Sequence, residues 1–196
     1  GEGAVFFGED LAHLENGRPV IAARAGPPGM GELRTLVYEG GAVLVATGPE
    51  RSAYLREGDS AFQALPMRDS DELALAASAR IVVAAARQND ALRVVRCEDT
   101  CEVAQVPHAG AFDVAAGGAE AFVAYELEGQ IHVLRWGDER RDETPAPCFS
   151  DGGLFCGAPT LGARAGRVLL AARRDFDMFV VEYAADHGWR PLVGLR

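Results

Sequence analysis

The chain has 196 residues, 48% of them apolar, with 19 basic against 29 acidic residues and a net charge of −10. So much apolar material excludes wholesale disorder and is ample for a core. The acidic balance excludes a phosphate-binding nucleic-acid surface and docking on anionic lipid.

Every basic residue is Arg, and Lys is absent. The ordinary reading is a GC-rich genome that favours Arg, Ala, Gly and Val codons. Its chemical consequence is that Schiff-base, P-loop and general-base lysines are all ruled out. No window reaches the roughly 20 apolar residues of a membrane helix. The opening Gly-Glu-Gly, in place of Met, reads as a processed product.

Residues 1–30 read as a three-strand piece: the run AVFF, then Leu11 to Leu14, an Asn16-Gly17 turn and the run PVIAARA. Asn-Gly between apolar runs signals a hairpin, and Pro27-Pro28 separates it from the rest of the chain. Four near-copies come next, at about 31–68, 69–108, 109–147 and 157–196. The clearest is Phe112 to Asp138, where short apolar segments in period two are punctuated by Gly-Gly and Glu-Gly-Gln turns. Second-strand segments read AVLVATG, RIVVAAA, EAFVAYE and RVLLAAR, with alanines at Ala46, Ala84, Ala124 and Ala171. Third-strand segments end at Arg56, Arg96, Arg135 and Tyr183, and each is followed three residues later by a turn acid: Asp59, Asp99, Asp138 and Asp186. From alanine to aspartate the distance stays at 13 to 15 residues.

A period of about 40 residues holding four short strands is the pattern of a β-propeller blade. A lone twisted sheet cannot bury both faces, and stacking blades does so. The fold class expected is therefore all-β: one β-propeller domain over 1–196, built of four-stranded antiparallel blades. The count is about five with the partial first blade. A β-sandwich is the alternative. Closure of so short a ring would need a strand exchanged between the termini, or a second chain.

Cys97 and Cys101 flank one turn-like stretch, and Cys148 and Cys156 another. Neither spacing matches a zinc pattern, so two local hairpin disulfides fit best, with three connectivities formally open. Disulfides point to a secreted, periplasmic or cell-surface location.

The third-to-fourth-strand turns resemble the Asp-box hairpin of sialidase-like (BNR-type) propellers. The nearest match runs Tyr183-Ala-Ala-Asp186-His187-Gly188-Trp189, with weaker ones at Arg56 to Phe62 and Arg96 to Cys101. The leading Ser is absent, and the box Gly occurs only at Gly188. The resemblance implies blade architecture, with the aspartates as structural turn residues. It does not imply the sialidase reaction, since the arginine triad and the Tyr–Glu pair have no counterparts. Tyr38-Glu39, Tyr125-Glu126 and Glu182-Tyr183 are sequence neighbours, so in strands they point to opposite faces.

No catalytic, cofactor-binding or metal-ligating set stands out. His13, His108, His132 and His187 lack ligand spacing, and Asp175 with Asp177 makes only half a calcium loop. Arg34 and Arg164 fall on expected inner strands. Trp136 and Trp189 are candidate stacking platforms for a sugar, weighed against packing between blades. The sequence thus reads as a non-catalytic binding or structural module of a secreted bacterial protein, engaging a protein partner or its own copies. A glycan-binding or glycoside-processing propeller is the alternative.

Overall fold

The computed structural model describes residues 4–7, 10–15, 18–23, 32–59, 61–68, 70, 72–145, 156–174 and 177–192. All regular structure among them is β. The strands are β1 (Ala4–Phe7), β2 (Asp10–Glu15) and β3 (Arg18–Ala23), then β4 (Glu32–Tyr38), β5 (Gly41–Thr47), β6 (Ser52–Arg56) and β7 (Gln63–Leu65). They continue with β8 (Leu73–Ala77), β9 (Val82–Gln88), β10 (Ala91–Cys97), β11 (Cys101–Pro107), β12 (Phe112–Gly117), β13 (Glu120–Leu127), β14 (Gln130–Trp136) and β15 (Arg140–Glu143). The last four are β16 (Cys156–Arg164), β17 (Arg167–Arg174), β18 (Asp177–Ala184) and β19 (Gly188–Pro191).

Each sheet is an antiparallel meander in chain order: three strands in β1–β3, and four each in β4–β7, β8–β11, β12–β15 and β16–β19. The chain forms two compact units, residues 1–71 and 72–196. The first holds the three-stranded sheet and β4–β7; the second holds the other three sheets.

Turn chemistry sets these meanders. Tight connections at Glu128-Gly129 and Ala165-Gly166 put both residues at positive φ, 52° and 75° in one and 50° and 76° in the other. Two such residues make the hairpin turn whose twist matches that of its strands.

In the second unit the first strands lie side by side, with β12 packed against both β8 and β16. Two apolar layers separate the three sheets. One places Val83, Ala85 and Val94 against Val123, Tyr125 and Trp136. The other places Phe122, Ala124 and Val133 against Val168, Leu170 and Tyr183. Val82 to Ala86 are all 0% exposed and Ala121 to Tyr125 at most 1%, so β9 and β13 are buried on both faces. In the first unit, Val43 to Ala46 of β5 are likewise at most 2% exposed.

Pairing corrects part of the repeat phase read from sequence. Arg56 pairs with Val43, Arg96 with Val83 and Arg135 with Phe122. In the last sheet that place belongs to Glu182, opposite Leu169, while Tyr183 pairs with Val168 one residue away. A one-residue step changes the face, so Tyr183 points into the core and Glu182 points out of it. The alanines divide in the same way. Ala124 and Ala171 share a face with the marked pair of their sheet, whereas Ala46 and Ala84 occupy the opposite one.

Candidate functional site

All four marked aspartates fall between the third and fourth strands of their sheets. Asp59 is the one whose carboxylate takes up turn groups: Oδ2 accepts Arg56 N–H at 3.4 Å and the Gln63 side-chain amide at 3.3 Å. Its own N–H donates to Arg56 O at 3.0 Å. Asp186 behaves otherwise. Its side chain is 83% exposed, with Oδ1 3.7 Å from the His187 ring. The turn closes without it, because His187 N–H donates to Ala184 O and His187 Nδ1 to Gly188 O. The lock expected of the Asp186 carboxylate is not formed among the described residues. Asp99 and Asp138 are exposed at their turns. Asp186→Ala is therefore expected to change stability by no more than about 0.5 kcal/mol, and Asp59→Ala to cost roughly 1 kcal/mol. Urea unfolding of the two variants checks this, and the reverse order would overturn it.

Cys97 and Cys101 are joined, stapling the β10–β11 turn. Cys156 is also disulfide-bonded; its expected partner Cys148 lies outside the described residues, as do Asp175 and the Asn16-Gly17 turn. The tryptophans take packing roles. Trp136 is 2% exposed, so burial removes it as a stacking platform. Trp189 packs edge-on to Phe122, and its indole N–H donates to Glu143 Oε2 at 2.7 Å. That bond turns its polar edge inward and ties β19 to the preceding sheet.

Sequence reasoning missed the polar ties between sheets. Arg96 reaches the carbonyl of Ala119 in the β12–β13 turn at 2.9 Å, and Ser78 Oγ donates to Gly118 O in the same turn. Asp113 of β12 accepts Leu161 N–H of β16 at 2.8 Å. Arg135 donates to Glu120 at 2.7 Å and to Glu143 at 3.1 Å, and its guanidinium lies 5.1 Å from the Tyr183 ring centre. Burial works against the Arg135 charge, but the bond to Glu143 and the nearby carboxylates raise its pKa overall. Tyr125 donates to Asp142 at 2.6 Å and stacks on His132, itself 3.4 Å from Asp142. Burial and then this bond push the Tyr125 phenol well above its ordinary range. The bond to Asp142 fixes the phenol as a donor.

Glu98, in the stapled turn, is held below the usual carboxylate value by hydrogen bonds from Arg80 and then Arg96. A carboxyl depressed in the folded state adds stability above its unfolded pKa and loses it as pH falls through the folded one. Acid unfolding of the parent should therefore steepen below the ordinary value of 4.5. Glu98→Gln should flatten that limb while lowering stability at pH 7. Parallel pH–stability curves for the two proteins would overturn the assignment.

The two arginines expected on inner strands belong to different units. Arg34 is engaged by Glu32 at 2.9 Å within the first unit. Arg164 belongs to the second, where it lines an open hollow of about 390 Å³ with Arg167, Leu169 and Glu182. Among the described residues no three His, Cys, Asp or Glu side chains converge as a metal site would require. No helix there is long and apolar enough to cross a membrane. No protein-family model matches the chain, and no curated protein matches it significantly.

Proposed function

We propose that the chain is a non-catalytic binding or structural module of a secreted or periplasmic bacterial protein. It is a β-propeller of degenerate Asp-box type, or most of one, that engages protein through its sheets. The observation that carries this reading is the run of three four-stranded meanders over 72–196, with their first strands adjacent. The conspicuous polar side chains support it further: Arg96, Asp113, Tyr125, Arg135 and Trp189 are spent on ties within and between sheets. The disulfide at Cys97–Cys101 is compatible with an oxidising compartment.

The purified chain, used as bait in a secreted fraction and followed by reconstitution with any protein captured, tests the binding role. A glycan array and a panel of chromogenic glycosides run beside it. A defined protein partner or self-association, with no turnover, is expected. Saturable glycan binding or turnover would replace this reading with the glycan-directed one. Small-angle scattering tests the propeller itself: a compact disc is expected, and an elongated stack would remove it.

A further inference from the structure

The outer face of the last sheet carries the apolar positions that the two preceding sheets bury. Three cross-strand pairs on one face of β8–β11 are Val83 with Arg96, Ala85 with Val94, and Arg87 with Leu92. Their counterparts in β12–β15 are Phe122 with Arg135, Ala124 with Val133, and Glu126 with Ile131. In β16–β19 they are Leu169 with Glu182, Ala171 with Val180, and Arg173 with Met178. Every apolar member of the first two sets is at most 1% exposed. In the last set Leu169 is 43% and Met178 68% exposed, with Ala171 and Val180 half-buried.

What covers the first two faces is in each case another sheet of the same repeat. Ala121, Val123 and Tyr125 of β13 close one, and Val168, Leu170 and Ala172 of β17 the other. Within residues 72–196 the third face continues that series and ends it uncovered. Large apolar side chains at such positions gain most from removal from water, and here the gain is unrealised.

Charge narrows the occupant. Among the described residues, Arg164, Arg167, Arg173 and Arg190 are all exposed on this face, against one carboxylate, that of Glu182, which pairs with Arg167 at 3.0 Å. Two such faces meeting about a two-fold axis would set arginines against arginines, which disfavours a face-to-face dimer. An acidic counter-surface suits it, and a chain with a net charge of −10 has acidic surface to supply. At the rim, Gly162 stands opposite Leu169 with nothing within 4 Å of where a Cβ would be. Its missing side chain helps open the hollow beside Arg164, room for one apolar side chain of the occupant.

We propose that the face formed by Leu169, Ala171, Met178 and Val180, rimmed by these arginines, docks an acidic surface of a second copy of the chain in head-to-tail contact. This rests on the binding-module reading and names its partner and its face. A head-to-tail contact closes into a ring or continues as a filament, according to the rotation it imposes.

Sedimentation of the full chain over a wide concentration range is the test. The parent protein is expected to associate with rising concentration. Leu169→Glu and Met178→Glu should each weaken association roughly tenfold or more, as loss of a central apolar contact does. Arg190→Glu should weaken it too, as should about 0.5 M salt, which screens charges beyond a few ångströms. Circular dichroism and thermal melts confirm that each variant stays folded, as changes on an exposed face allow. A parent that stays monomeric at every concentration would overturn the proposal. So would association that persists unchanged in both Glu variants, although that result would leave the binding role standing. A monomer that also captures no partner would remove both.

Discussion

Phe122→Ala is expected to destabilise the second unit by about 3–5 kcal/mol, the upper range for truncating a buried aromatic. Phe122 is 1% exposed between the second and third sheets of that unit, with its ring centre 5.2 Å from Tyr183 and 6.3 Å from Trp189. Gly117 stands against it so closely that a Cβ there would lie 3.2 Å from the Phe122 ring and 3.3 Å from Val168. Hydrogen-bonded strands on both sides keep the gap from collapsing, so the cavity term adds to the lost burial. Leu169→Ala, at the matching position of the last sheet, should cost less than about 1 kcal/mol, because its side chain already meets water. Urea unfolding followed by tryptophan fluorescence compares the two, since Trp136 and Trp189 both lie in this unit. Equal costs would mean that the two faces are covered alike, and the uncovered third face would lose its basis.

The strands themselves were legible because their turns are. Phe112 to Asp138 alternates apolar and polar residues between glycine-bearing turns, and β12, β13 and β14 lie between those turns. Which face each strand presents was less legible, for a physical reason. Period two reveals a face only when the other face is polar, and β9 and β13 are buried on both sides. The alanines therefore offered no phase. Counting from a shared alanine then lands one residue off.

The ties between sheets were out of reach for a different reason. Arg96 meets Ala119 across 23 positions, Trp189 meets Glu143 across 46 and Asp113 meets Leu161 across 48. No local pattern marks partners so far apart. The aspartate after the third strand showed the limit of reading a side chain from its place in a turn. Asp59 and Asp186 occupy matching turns, yet only Asp59 turns its carboxylate onto backbone and side-chain donors. At Asp186 the His187 backbone and ring satisfy the turn first, and the carboxylate is left to water.

The same competition for partners decides what Arg135 is worth. Its side chain is 16% exposed, and its guanidinium is shared between Glu120 of β13 and Glu143 of β15, with the Tyr183 ring of the next sheet beneath it. Arg135→Met keeps much of the apolar stem but takes their shared guanidinium from two carboxylates that are 32% and 25% exposed. The expected loss is roughly 2 kcal/mol, short of the 3–5 kcal/mol for breaking a fully buried pair, because water still reaches both acids. Glu143→Gln should cost less, since its amide oxygen can still accept the Trp189 indole N–H. The two changes together should cost less than their sum by about 1 kcal/mol, the non-additivity expected of partners in one network. Unfolding free energies of the parent, both single variants and the double variant measure that coupling. Strict additivity would mean that Arg135 acts through its stem and its place over Tyr183, and that the carboxylates beside it are solvated independently of it.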